Sequence, residues 1–219
     1  MKFGILGTGY VGISIASKLI ELGHAVTLGS RTVENESAVK WAEEHGDLAS
    51  NGTFLDAASF GEIIFNCTLG EFSLDALAAA GRENLEGKIL IDVSNPLIVG
   101  DYLALVPELS NTTSLGEEIQ KKYPQTRVVK TLNTMAFNLM VNPGLLEDKH
   151  TVFICSDDDD AKEQVKEILH WFGWETSLDL GKLANSRYTE RLSTLWVPIY
   201  KATGNPLFAF KVTTNPNSK

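Results

Sequence analysis

Gly7-Thr8-Gly9-Tyr10-Val11-Gly12 sets three glycines in the pattern G-x-G-x-x-G, directly after an apolar run and directly before a stretch with helical periodicity. In that position each glycine has a physical task. Gly7 permits a tight turn, Gly9 lets the backbone approach a pyrophosphate, and Gly12 lets the following helix pack closely on the strand. The helix then points unpaired N–H groups at the phosphates, with Thr8, Tyr10 and Val11 along the border. Two blander readings are a turn whose glycines serve packing alone and a methyltransferase loop. The place of the motif, between the first strand and the first helix, argues against the former.

About 20 residues downstream, where an enzyme for NAD sets a carboxylate against the adenosine ribose, the chain reads Gly29-Ser30-Arg31-Thr32. Nothing there repels a 2′-phosphate. Arg31 can pair with one, and Ser30 and Thr32 can donate hydrogen bonds to it. NADP(H) rather than NAD is the expected cofactor. The missing acid also disfavours the methyltransferase, whose loop usually needs one for the ribose.

The elements that must hold these residues alternate along the chain. Strand patterns fall at Phe3 to Leu6, Ala25 to Leu28, Thr53 to Leu55, Ile63 to Thr68, Lys88 to Val93, Arg127 to Leu132, Thr151 to Cys155 and Thr176 to Leu180. Helical patterns fall at Tyr10 to Leu22, Glu34 to His45, Ser73 to Ala80, Leu115 to Tyr123, Ala161 to Phe172 and Ala184 to Thr203. Ser114 and Glu117 form a capping-box pattern before the fourth helix. Such alternation predicts an α/β fold, a Rossmann-type doubly wound and mainly parallel sheet with a C-terminal helical extension. Residues 1–181 would form the NADP-binding domain. Residues 182–219 would cover the cleft or form a homodimer contact through Tyr188, Leu192, Leu195 and Ile199, and the polar tail ending Asn217-Ser218-Lys219 would fray.

Ligands of doubly wound sheets lie outside the carboxyl ends of the strands. Thr68 and Leu69, Asn95 and Pro96, and the turn Asn133-Thr134-Met135-Ala136 should therefore surround the nicotinamide. They mix polar and apolar groups, as a flat ring needs.

Composition narrows the partners. A net charge of -9 over 219 residues disfavours nucleic acid, which needs a cationic surface, and leaves a small-molecule redox acceptor as the expected partner. No apolar run reaches the length of a membrane span, and the N-terminal residues lack a secretory signal, so a cytoplasmic protein without membrane insertion is expected. Cys67 and Cys155 sit in apolar strand patterns as packed thiols, and His24, His45, His150 and His170 lack ligand spacing, so no metal site is expected. The run Asp157-Asp158-Asp159-Asp160 precedes a helix, whose N-terminal dipole favours acids.

With these residues in place the chain resembles the reductases that move hydride between NADPH and coenzyme F420, and is similar to the NADPH domain of membrane ferric reductases. The resemblance rests on the glycine-rich turn, Gly29-Ser30-Arg31, Asp92-Val93-Ser94-Asn95-Pro96, Val129-Lys130-Thr131-Leu132-Asn133-Thr134 and Leu183-Ala184-Asn185-Ser186-Arg187. It implies NADP(H) held by Thr8, Tyr10, Val11, Ser30 and Arg31, and an acceptor that is coenzyme F420 or a flavin. Thr68, Leu69, Asn95 and the Asn133 to Ala136 turn would lie nearer the nicotinamide. Hydride would pass directly between carbons without a catalytic acid or base, so approximation is the main catalytic device. The chain departs from the archaeal pattern at Asn133, where those enzymes tend to carry histidine, and at Asn35, where they carry lysine.

Two other functions compete. Lys130-Thr131-Leu132-Asn133 matches the Lys-x-x-Asn of some reductases of imines or 3-hydroxy acids, but there the pair lies on a helix and here it falls on a strand pattern, which reads Lys130 as structural or cleft-lining. A non-catalytic NADPH sensor would also need no proton donor. No Tyr-x-x-x-Lys occurs, which argues against short-chain dehydrogenase chemistry.

Overall fold

The computed structural model describes residues 1–98, 104–106, 109 and 112–215. Eight strands form one sheet: β1 (Lys2–Leu6), β2 (Ala25–Ser30), β3 (Ala49–Thr53), β4 (Ile63–Asn66), β5 (Ile89–Asp92), β8 (Arg127–Thr131), β9 (Val152–Ser156) and β10 (Ser177–Asp179). Their order is β10-β9-β8-β5-β4-β1-β2-β3, with a separate two-stranded pair of β6 (Leu97–Ile98) and β7 (Ala104–Leu105). Neighbouring strands of the large sheet run parallel except β8 and β9, which are antiparallel. Chain order reverses direction across the sheet between β1 and β4. A crevice opens at the carboxyl ends of strands at such a switch point.

Side chains alternate along the strands and so feed two cores. Phe3, Ile5, Val26, Leu28, Ile63, Phe65, Ile89 and Ile91 point to one face. There they meet α1 (Tyr10–Glu21), α2 (Glu36–His45), α6 (Phe137–Val141) and α7 (Asp159–Trp171), through residues such as Ile15, Trp41, Leu139 and Val165. Leu6, Ile64, Leu90 and Val128 point to the other face, against α3 (Phe54–Phe60), α4 (Ser73–Ala80) and α5 (Leu115–Lys122). No helix among the described residues is long and apolar enough to cross a membrane.

Three expectations from sequence are corrected. The third strand ends where it was expected to begin: β3 is Ala49–Thr53, and Phe54–Phe60 is helix. Thr53 Oγ1 accepts from the Asp56 N–H at 3.2 Å, while Asp56 Oδ2 accepts from the Thr53 N–H at 2.8 Å. This reciprocal cap starts a helix at once. The strand itself lies at the sheet edge and carries Ser50 and Asn51, so it lacks the apolar alternation of an inner strand.

The box expected at α5 is only half formed. Ser114 Oγ accepts from the Glu117 N–H at 3.2 Å, but the Glu117 carboxylate accepts from Arg187 Nε at 2.7 Å rather than from the Ser114 backbone. The last helix, α8 (Ser186–Thr203), begins two residues later than expected, after a 3-10 turn at Leu183–Asn185. It buries a polar face, Ser186, Thr189, Glu190 and Ser193, and leaves Tyr188 and Leu195 of the apolar stripe exposed. Beyond it Leu207 and Ala209 pack against the first core, and Phe210 O accepts from the Thr151 N–H at 2.9 Å. The expected fraying of residues 217–219 lies outside the described residues.

The acidic run is spent on structure. Asp158 caps α7 by accepting from the Ala161 N–H at 2.8 Å and receives Arg127 Nε at 2.6 Å, which holds its carboxyl down at about 2. Asp159 pairs with Lys162 at 2.9 Å, and Asp157 accepts from the Leu183 N–H at 3.3 Å.

Thr53→Ala removes the cap of α3 and should cost about 1 kcal/mol, read as a lower urea midpoint with an unchanged slope. An unchanged midpoint would show that β3 alone sets where the helix starts.

Candidate active site

The glycine-rich turn joins β1 to α1 where the sequence predicts. Gly7 has φ 119°, and a Cβ on it would lie 2.7 Å from the Cys67 carbonyl oxygen, so the turn can be that tight only with glycine. A Cβ on Gly12 would meet the Gly7 carbonyl oxygen at 2.0 Å, which explains the close packing of helix on turn. Gly9 differs from both. Among the described residues, beyond its own chain neighbours and helix, no atom lies within 4 Å of where its Cβ would be, so the space beside it is open. It is the N-cap of α1, with no side-chain cap and no acid in the first turn. The orphan N–H groups and the positive end of the helix dipole are thus left for an external anion.

Beside this helix end lies a cleft of about 410 Å³ lined by Gly7, Thr8, Ser30, Arg31, Thr32, Asn35 and Phe54. Arg31 is exposed, and none of the ion pairs or hydrogen bonds among the described residues engages its guanidinium. Ser30 Oγ donates to the Thr32 carbonyl, which folds the strand end back around the cleft. Phe54 is an addition to the sequence reading, and Asn35 enters the cleft as the position that departs from the archaeal lysine. Asn35 accepts from the Ala38 N–H at 3.0 Å as the cap of α2. Phe54 was hidden by the misplaced strand. An open glycine cradle, an uncapped helix and an acid-free arginine suit a dinucleotide with a further phosphate on its ribose.

The second group of predicted residues meets along the neighbouring strand ends. The Gly7 turn abuts them, since its Cβ would lie 3.3 Å from the Thr68 nitrogen. Thr68 Oγ1 donates to Asn66 Oδ1 at 2.7 Å and shares a hydrogen bond with Ser73 Oγ at 2.8 Å. A Cβ on Gly70 would strike the Asn95 carbonyl oxygen at 2.0 Å, so the loops after β4 and β5 touch backbone to backbone. Asn95 Nδ2 donates to the Asn133 carbonyl at 2.8 Å, and Asn133 Nδ2 donates back to Asn95 Oδ1 at 2.8 Å. Asn133 Oδ1, in a side chain only 4% exposed, is a buried acceptor with no partner.

The remaining predicted residues differ in exposure and packing. Met135 belongs to the core with Leu132 and Leu139, Val11 packs against that core, and Thr134, Pro96 and Ala136 are buried. Leu69 is exposed, and Tyr10 stacks on Phe137 with ring centroids 5.3 Å apart. Leu132 has φ 64°, the one positive value for a non-glycine among the described residues, and it turns the chain sharply between β8 and Asn133. Strain of this kind, on the order of 1–3 kcal/mol, persists only where the surroundings over-determine it.

Beneath these turns lies a buried network that no sequence motif announced as a unit. Lys130 Nζ donates to Asp92 Oδ2 at 2.8 Å, to the Ser94 carbonyl at 2.6 Å, and pairs with Glu190 Oε1 at 2.8 Å. Burial works against the ammonium, but the charges of Asp92 and Glu190 outweigh it and hold the Lys130 pKa above the ordinary lysine value. Asp92 Oδ1 accepts from Asn66 Nδ2 at 2.9 Å and from Ser94 Oγ at 2.6 Å. Glu190 reaches in from α8 and accepts the Leu115 and Gly116 N–H groups of α5 at 2.9 and 3.1 Å. Of the two expectations for a strand-borne Lys130, structural or cleft-lining, this placement agrees with the first. Its side chain has no exposure at all.

Comparison with known proteins agrees with the fold and the motif. Residues 2–96 match the family described as NADP oxidoreductase, coenzyme F420-dependent. A solved structure from an Arthrobacter species, described as a candidate F420-dependent NADP reductase, is 40% identical, with a TM-score of 0.91 over 98% of this chain and 100% of that one. The chain belongs to the family of coenzyme F420-dependent NADP oxidoreductases.

Within the family's reach, the F420-dependent NADP reductase of Methanocaldococcus jannaschii is 26% identical, across 93% of this chain and 96% of that protein. The metalloreductase STEAP3 of Rattus norvegicus is 32% identical over 203 residues, but the chain spans only 38% of its length. A reductive aminase from Aspergillus terreus shares the fold, with a TM-score of 0.65 at 20% identity.

Removing Glu190 would leave two helix N–H groups without an acceptor inside the protein and take from Lys130 one of its three partners. Glu190→Ala should lower stability by about 3–5 kcal/mol, measured by chemical denaturation. A loss below about 1 kcal/mol would mean that water enters and replaces the carboxylate.

Proposed function

We propose that this oxidoreductase binds NADPH across the switch point of its sheet and passes hydride directly to coenzyme F420 or a flavin-like acceptor. When bound, NADPH supplies a hydride from its nicotinamide ring. The chain's own residues bind, orient and exclude. The N–H groups at the start of α1 take the pyrophosphate over Gly9, bordered by Thr8, Tyr10 and Val11. Arg31, with Ser30 and Thr32, takes the 2′-phosphate. Asn95, Pro96, Asn133 and Ala136 border the nicotinamide with Thr68 and Leu69.

The observation that carries this reading is the burial of the ionisable groups that the described residues place beneath the strand ends. Lys130, Asp92 and Glu190 are almost wholly buried and committed to one another. Reduction of an imine or a ketone needs a proton at the nascent nitrogen or oxygen, whereas hydride passing from carbon to carbon needs only approximation. Lys130-Thr131-Leu132-Asn133 therefore cannot present its lysine as the acid of an imine or 3-hydroxy acid reductase. The likeness to metalloreductases favours a flavin as the alternative acceptor.

Purified protein should oxidise NADPH when given coenzyme F420, FMN or FAD, followed by absorbance of both partners. Fast reduction of the deazaflavin alone supports the first acceptor, and flavin reduction the second. Tight binding without turnover of any would overturn the enzymatic reading in favour of a sensor.

Arg31→Ala should weaken NADPH binding by about 2 kcal/mol while sparing NADH, as loss of a charged hydrogen-bond partner does. An equal loss for both cofactors would sink the 2′-phosphate assignment. Gly9→Val should weaken both by filling the cradle, and unchanged affinity would refute the pyrophosphate assignment.

A further inference from the structure

The hydride reading uses no buried charge, yet the protein keeps three of them fully desolvated at the end of the sheet where it matters. A buried ion pair is weak as a source of stability, because well-packed apolar residues of similar volume do as well or better. Its geometry here is better suited to a different task. Lys130 Nζ holds the carbonyl of Ser94 at 2.6 Å, and Ser94 is the residue before Asn95. Ser94 is fastened a second and third time, since its Oγ donates to Asp92 Oδ1 at 2.6 Å and its N–H donates to the same oxygen at 3.2 Å. Asn95 in turn exchanges hydrogen bonds with Asn133. Asn133 lies three residues beyond Lys130, just past the end of the same strand, so the ammonium closes a loop: β8 to Ser94, Ser94 to Asn95, Asn95 back to the turn after β8.

The third contact of Lys130 leaves the sheet. Glu190 of α8 pairs with Lys130 through the same carboxylate that accepts the first two N–H groups of α5. Ser186 Oγ and Ser114 Oγ share a hydrogen bond at 2.6 Å one turn earlier, and Arg187 clasps Glu117. The polar face of α8 is thereby docked on α5 and on the ammonium together.

We propose that Lys130 is a positioning residue for the hydride reaction. Held by Asp92 and Glu190, it fixes the Ser94 carbonyl and so sets the Asn95–Asn133 amide pair that borders the nicotinamide, and α8 takes part in the site through Glu190 without entering the cleft. This rests on the function proposed above. A misplacement of the reacting groups by about 1 Å can cost on the order of 100-fold in rate while binding far from them is untouched. The phosphate cleft around Arg31 contains none of these residues.

The test uses the full chain with Lys130→Met and with the double variant Lys130→Met, Glu190→Gln. The double variant removes one carboxylate together with the ammonium, so two acids are not left facing each other. In ligand-free protein the side-chain amide protons of Asn95 and Asn133, observed by ¹⁵N NMR, should lose protection from exchange in both variants. NADPH affinity, read by fluorescence, should stay within about two-fold, while kcat with the acceptor that wild type uses falls by about 10-fold or more. The deuterium isotope effect on NADPH oxidation should rise as chemistry becomes limiting. Wild-type amide protection, or a wild-type kcat and isotope effect in a folded variant, would overturn the proposal. So would failure of the double variant to fold, which would assign the group to folding alone. Absence of turnover in wild type would instead count against the function, and the amide protection would still judge the positioning.

Discussion

A lysine with no exposed surface has to be satisfied entirely by its neighbours, and at the end of β8 that demand organises the molecule. Lys130 recruits an acid from β5, a carbonyl from the turn after β5 and an acid from α8. Each partner comes from a different part of the chain. Meeting them all requires β5 and β8 to be adjacent, the turn after β5 to fold over its own strand end, and the C-terminal helix to return to the sheet. Leaving one out takes a partner from a fully desolvated charge, and breaking such a buried group costs several kcal/mol. The network is therefore a specification of geometry more than a store of stability.

The same end of the sheet gathers the other departures from relaxed structure. Leu132 takes a left-handed conformation, Gly70 admits the Asn95 backbone at a distance no side chain would allow, and Asn133 keeps a buried acceptor unpaired. The opposite end of the crevice is simple by comparison: a glycine turn, an uncapped helix and an arginine without an acid. This contrast fits a division of labour in which one half recognises phosphates by fixed dipoles and charge, and the other half holds uncharged amide groups in a shape that demands reinforcement.

The phosphate half was legible in the sequence because each of its features is local. Gly7, Gly9 and Gly12 are spaced by the geometry of one turn, and Ser30-Arg31-Thr32 follow their own strand directly. Inner strands were legible for a similar reason, since apolar runs such as Ile63 to Phe65 are buried on both faces. The edge strand β3 was misplaced because an edge needs no apolar alternation, and Thr53 marks a helix start by a hydrogen bond rather than by hydrophobicity. Asp92 and Glu190 lie 38 and 60 residues from Lys130 in sequence, so their meeting is a product of topology. The motif containing Lys130 was visible, but its partners were not. The way α8 docks was hidden for a related reason: it packs on the chain by residues that make hydrogen bonds, while Tyr188 and Leu195 of its apolar stripe stay exposed.

If the crevice works as argued, hydrogen leaves NADPH as hydride and arrives on a carbon of the acceptor without passing through water. The direct test is a single turnover with NADPH carrying deuterium at the transferred position of the nicotinamide, coenzyme F420 as acceptor and ordinary water as solvent. Retention of the deuterium on the deazaflavin carbon, seen by mass spectrometry, is the predicted result. Loss of the label to solvent, or no oxidation of NADPH under these conditions, would contradict transfer from carbon to carbon in this cleft.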